Sequence, residues 1–182
     1  MPSLPRSEQQ QRMIDLVHEI YDAWEVIEHI LFNIFAHLSK GPYSESRALY
    51  YSLRNHRARQ EMIQALAADI FVNEQDKLKE LVKCTCRAGK AAGKGNEVAH
   101  GAWAITPDRQ EYRRMRVMND PRLTKPTEFS ERDLKERVDY MRQVARELTD
   151  YYLGNRTDWY RRRFDYCKGI AARGPEPKMA IL

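Results

Sequence analysis

Residues 13–39, "MIDLVHEIYDAWEVIEHILFNIFAHLS", set the fold class. Ile14, Val17, Tyr21, Trp24, Ile27, Leu31, Ile34 and Leu38 recur every three or four positions, the spacing that gives an α-helix one apolar face. Carried back to Ser7, the pattern predicts a helix of about 50 Å at ~1.5 Å rise per residue. It stops at Lys40-Gly41-Pro42, where Gly41 suits a left-handed cap and a proline stands just beyond. A stripe this long is hard to bury inside a small monomer, so part of it is expected to meet a second copy of the chain.

Helical periodicity continues outward from there. A second helix is predicted from Ser44 to Val72, with Leu49, Leu53, Met62, Ile63, Leu66 and Ile70 inward. Its middle, "RNHRARQ", interrupts the stripe with polar and cationic groups, as a solvated face or as an interior cleft lined by Arg54, His56, Arg57 and Arg59. A third helix begins near Glu74, carries Leu78, Leu81, Val82 and Cys86, and turns small-residue at "AGKAAGKGNEVAHG". Gly93 and Gly95 each cost about 1 kcal/mol relative to alanine inside a helix, which implies fraying, a kink or a close approach. "WAITPDRQEYRRMRVM" reads as a small hairpin or extended arm around a Pro-Asp turn, with Tyr112, Arg114 and Arg116 on one side of an alternation, and "NDPRLTKPT" reads as a loop.

The last helix start is explicit. Ser130 is the N-cap, Asp133 the capping-box partner, and Phe129 with Leu134 the hydrophobic staple. Val138, Met141, Val144, Leu148 and Tyr152 extend its apolar face until Gly154, expected to close it. The reading is therefore all-α: an up-and-down bundle of about four main helices over residues 1–154, with a hairpin or arm after the third. Residues 155–182 form a basic C-terminal extension that loosens at "ARGPEPK".

Composition narrows the function classes. With 42% hydrophobic and 31% charged residues the chain belongs with globular rather than disordered proteins. Its greasiest run, "ILFNIFA", is far shorter than the ~20 residues that span a bilayer, so a cytoplasmic protein with no membrane role is expected. Cys84, Cys86 and Cys167 are an odd set, and neighbours two apart on a helix diverge, so neither a disulfide framework nor a metal site is expected. His18, His29 and His37 also lack ligand spacing, and no cofactor is implied. The net charge of +5 admits an anionic partner. Basic residues gather in "RQEYRRMR" and in Arg156–Lys178, interleaved with Tyr112, Trp159, Tyr160 and Phe164, a mixture that suits RNA as well as a solvated surface.

One motif points further. In "KGNEVAHGAW", Lys94–Trp103, Asn96 and His100 are four apart and share a helix face, Gly101 falls where a C-cap belongs, and His100 complements the helix dipole. A structural role for His100 is complete on those grounds. Yet Asn96, Ala99, His100, Gly101 and Trp103 also match the pattern R-N-x-x-A-H-G-x-W. With the motif ending the third helix, Ser7–Gly154 resembles the HEPN superfamily of helical bundles, in particular its bacterial members with a long first helix. The resemblance implies a homodimer with its two motifs facing across the interface, and metal-independent RNA cleavage. There His100 would be the general acid/base, because an imidazole titrates near neutrality, and Asn96 would orient it. The family arginine that would hold the phosphate is replaced by Gly95, which leaves Lys94, with five residues between it and His100, as the available cation. Arg113, Arg114, Arg116 and Tyr112, with Arg54 and Arg57, are the expected contacts to RNA or a nucleotide. The rival reading is a non-enzymatic dimeric helical module that partners another protein, with His100 as a cap. A helix-turn-helix is disfavoured by the lack of a short helix pair with a tight turn.

Overall fold

The computed structural model describes residues 8–99, 101–106, 111–116 and 127–173, with side chains over 8–99 and 129–156. It is a helical bundle: α1 (Glu8–Ser39), α2 (Tyr43–Ser52), α3 (His56–Ile70), α4 (Gln75–Ala99) and α5 (Glu131–Arg173), with strands β1 (Gly101–Thr106), β2 (Glu111–Arg116) and β3 (Thr127–Phe129) between α4 and α5. Among the described residues no helix is long and apolar enough to cross a membrane.

Helix directions follow from which residues meet. Arg12 pairs with Glu131 at 3.6 Å, Arg142 with Glu19 at 3.1 Å, and His37 lies 3.1 Å from the Tyr152 hydroxyl, so α1 and α5 run side by side in the same direction. α4 opposes α5, with Arg87 on Glu147 at 2.9 Å and Glu97 on Arg137 at 2.7 Å. α3 opposes α4, with Gln64 donating to Thr85 at 2.8 Å and Gln60 to Cys86 at 3.7 Å. The chain thus alternates up and down, and α4 ends where α5 begins.

The long apolar stripe is buried within one chain. Met13, Val17, Ile20, Ile27, Leu31 and Ile34 are at most 6% exposed and share a core with Leu81, Val98, Met141 and Leu148. Most of the stripe is thus covered without a second copy. Tyr21, expected inside, is 41% exposed, because Ile20 takes the inward position and Tyr21 sits about 100° further round the helix. Leu49 is likewise 53% exposed.

Four expectations about element ends change. The single second helix is two, broken at Leu53–Asn55, where the Asn55 side chain caps α3 by accepting from the Ala58 amide at 2.8 Å. The left-handed residue after α1 is Lys40, with φ 56°, rather than Gly41. α4 neither frays nor kinks at Gly93 or Gly95. A Cβ at Gly93 would meet nothing within 4 Å, one at Gly95 would make ordinary contact with Met141 at 3.5 Å, and the close approach falls at Gly89, where an added Cβ would come within 2.5 Å of the Gln60 side-chain oxygen. Finally, α5 passes through Gly154 and continues to Arg173.

The capping box is as read. The Ser130 amide and hydroxyl donate to Asp133 at 2.8 and 2.6 Å, the Asp133 amide donates back at 3.2 Å, and Phe129 and Leu134 are both buried. The arm is an antiparallel hairpin of β1 and β2, joined by β3, which begins in the stretch read as a loop. The Pro107-Asp108 turn, the rest of that loop and most of "ARGPEPK" lie outside the described residues.

Candidate functional site

α4 delivers the motif to the lower end of the bundle. Lys94 is exposed, and its ammonium lies 5.0 Å over the ring of Tyr140 on α5. Asn96 is exposed about 200° further round the helix, so the two side chains leave on nearly opposite sides. His100 lies outside the described residues, between the end of α4 at Ala99 and the start of β1 at Gly101.

A cation absent from the motif stands beside it. Arg137 of α5, only 16% exposed, binds Glu97 at 2.7 Å and donates to the Lys94 carbonyl at 3.1 Å. Its guanidinium also lies 4.5 Å over the Phe129 ring. One side chain thereby ties the last turns of α4 to the residue that ends β3, fixing both stems of the hairpin segment. Sequence reading passed over Arg137 because a charged position on an otherwise exposed helix turn carries no motif.

The ladder brings the arm to the motif. β1 and β2 pair Gly101 with Arg116, Trp103 with Arg114 and Ile105 with Tyr112. Directly paired positions share a sheet face, so Tyr112, Arg114 and Arg116 fall on one face with Gly101 and Trp103, and Arg113 on the other. Paired Cα atoms in such a ladder lie about 5 Å apart. Arg116 is thus the arm cation placed nearest in backbone to the residue that follows His100.

The helix-two cluster divides by face. Arg54 and Arg57 are exposed, and Arg57 pairs with Glu61 at 2.8 Å. His56 and Arg59 turn inward onto Glu28 of α1, a carboxylate only 13% exposed. His56 Nδ1 lies 3.2 Å from Oε1, Arg59 donates to Oε2 at 3.0 Å, and the buried Tyr50 hydroxyl donates to Oε2 at 3.2 Å. Arg59 also holds the Leu53 carbonyl at 3.2 Å and lies over the rings of Tyr50 and Tyr51, while Trp24 packs edge-on to His56. Burial alone would raise the Glu28 pKa, but the His56 hydrogen bond and the Arg59 charge outweigh it and hold the carboxyl below its ordinary value. The same burial and the Glu28 charge push the Tyr50 phenol far up. Both carboxylate oxygens of Glu28 are engaged inside the protein, so this cluster pins the α2–α3 elbow, while the buried His56 Nε2 has no hydrogen-bond partner among the described residues.

The antiparallel pairing of α3 with α4 carries that elbow to the level of the turn above Lys94. Arg54 and Arg57 belong to the elbow anchored on Glu28 of α1, whereas the basic stretch after Asn155 lies toward the end opposite the motif. Arg161 is about 36 Å beyond Arg137 along α5, at the opposite end of the bundle.

Cys84 is half-buried, its thiol pushed up by burial and then by the charges of Glu80 and Glu147, and Cys86 is exposed. Among the described residues no three His, Cys, Asp or Glu side chains group as metal ligands. No family model, curated protein or solved structure matches the chain.

Proposed function

We propose that this protein is a HEPN-like homodimer whose motif end, formed by the close of α4 and the β1–β2 hairpin, binds single-stranded RNA and cleaves it without a metal. The reading rests on the register that sets Arg116 across from Gly101, beside His100 in the chain. A phosphate held by Arg116 and Arg114 lies next to a residue able to take the 2′-hydroxyl proton. The freed O2′ then attacks phosphorus, the 5′-oxygen leaves with a proton, and a 2′,3′-cyclic phosphate remains. Tyr112 on the same face offers a ring for a base to stack on. Arg137, engaged with Glu97, positions the motif rather than touching RNA, and Asn96 orients the imidazole.

The reading is tested by RNA affinity as a function of salt. Arg114 and Arg116, which share a face, should contribute about 1.4 to the log–log slope, since a single strand contributes ~0.7 per neutralised phosphate. Replacing Arg114 and Arg116 by Ala should flatten it by roughly 1.4. An unchanged slope, or no binding at low salt, overturns the reading. A second reading, a dimeric helical module that joins another protein, is favoured by Gly95, which removes the family cation from α4. Absence of RNA binding would leave that reading in place.

A further inference from the structure

We propose that the outer face of α4 is a track for the backbone of single-stranded RNA, on which Lys83, Lys90 and Lys94 hold phosphates. The occupant rests on the RNA reading above, and the track is a second contact, separate from the hairpin arginines.

Position decides which cations can act together. Lys83, Arg87, Lys90 and Lys94 follow one another at intervals of four, three and four, so they lie on one face of α4 over about 16 Å. Lys83, Lys90 and Lys94 are exposed. Among the described residues none of these three lysines has a carboxylate within ion-pair distance, whereas Lys77 and Lys79, earlier on the same helix, pair with Glu74 at 2.9 Å and Asp76 at 3.3 Å. The middle of α4 thus carries charge that its own bundle does not neutralise.

α5 orders the line from below. Arg87 pairs with Glu147 at 2.9 Å, and the Tyr140 ring receives both the Arg87 guanidinium at 5.8 Å and the Lys94 ammonium at 5.0 Å. One aromatic side chain thereby holds two cations that stand two turns apart. Gly93 lies about 60° round the helix from Lys90. A Cβ there would meet nothing within 4 Å among the described residues, so no packing requires the glycine, and the bare helix surface lets a sugar-phosphate backbone come close.

The arrangement fits a strand better than a plane. The cations form a narrow line, edged on α4 by Glu80 and by Glu97, which Arg137 neutralises, and on α5 by Glu147 and Asp150. A flat anionic bilayer would press against those acids, and no exposed large apolar side chain lies between Lys83 and Lys94 to enter it. A single strand follows the line and leaves the acids at its sides. At ~3.4 Å per phosphate along a stacked strand, 16 Å covers about five phosphates, enough for each lysine to take one. Lys94 stands about 9 Å before residue 100 along α4, Lys90 about 15 Å and Lys83 about 25 Å. An interface between two motifs at that end of the bundle therefore leaves Lys90 and Lys83 clear.

The test measures binding of a labelled single strand about 12 nucleotides long, ~40 Å at that spacing, made of 2′-O-methyl RNA so that it is not cleaved. Wild type, a track variant (Lys83→Ala with Lys90→Ala) and a hairpin variant (Arg114→Ala with Arg116→Ala), all full-length, are titrated over a range of salt concentrations, with circular dichroism to confirm folding. Alanine keeps α4 helical, so the track variant changes charge and not the element. It should flatten the log–log slope by about 1.4, and the hairpin variant should do the same, because each pair of cations neutralises its own phosphates at ~0.7 apiece. A track variant with the wild-type slope overturns the track, and if the hairpin variant is flattened in the same experiment the RNA reading stands. A flattened track variant beside an unmoved hairpin variant keeps the track and overturns the hairpin assignment. Wild type that leaves the RNA unbound at low salt, or that binds phosphatidylserine vesicles in its place, overturns both.

Discussion

Glu28 carries its charge into a setting where burial opposes ionisation, and His56, Arg59 and Tyr50 reverse that opposition. Glu28→Gln removes the carboxylate and leaves the Arg59 guanidinium, 18% exposed, without its partner, which should cost about 3 kcal/mol in urea unfolding at neutral pH. The folded state keeps Glu28 ionised below its ordinary pKa of 4.5, so its contribution is complete above that pH and vanishes as pH falls through the lowered value. Wild type and variant should therefore converge in stability on acidification below pH 4.5, and a constant gap would refute the assignment. Lys40 is a second residue-scale test. Its φ of 56° places a Cβ in the left-handed region, so Lys40→Gly should stabilise the fold by about 1 kcal/mol. At this scale the sequence made the cluster of Arg54, His56, Arg57 and Arg59 visible but not its division. His56 and Arg59 are three apart and share a face, yet their common target lies on α1, and no local pattern names it. Arg137 was invisible for the same reason: its partners Glu97 and Phe129 come from α4 and β3.

The element boundaries show where local chemistry decides and where tertiary contact does. At Ser130 the cap, its reciprocal bonds and the staple all agree, and the Asp133 carboxyl is held below its usual range chiefly by the Ser130 hydroxyl and amide. That start was legible in full. At Asn55 the same kind of cap was overlooked, because apolar residues continue on both sides and mimic one long helix. The real element is an elbow, and Asn55→Ala should cost about 1 kcal/mol in thermal or chemical unfolding, with loss confined to the cap. No measurable change would mean that Glu28 holds the elbow unaided. Gly154 misled in the other direction. A glycine suits a helix end but does not impose one, and the Asn155 side chain bonding back to the Tyr151 carbonyl at 2.9 Å belongs to a helix that goes on. The third strand escaped because three residues carry too little alternation to be read, and its pairing partner β2 is more than ten positions away.

Across the whole molecule, the bundle separates two basic regions that look alike in sequence. The hairpin arginines sit at the motif end, while Arg161–Arg163 leave from the other, about 36 Å along α5 from Arg137. Composition showed both as cation-rich and aromatic, and only the helix directions place them at opposite ends of the bundle. The all-α bundle itself was legible because helical periodicity survives in every segment. Most of the α1 stripe is covered within the chain, since α5 lies beside it, while Tyr21 and Val26 stay exposed. The most direct test of the central claim is cleavage of a labelled mixed-sequence RNA, with chelator present, by wild type and by His100→Ala prepared identically. Cleavage by wild type that leaves 2′,3′-cyclic phosphate ends, with binding retained and cleavage abolished in His100→Ala, is the expected result; equal cleavage by both proteins, or none by either when both are folded, would contradict it.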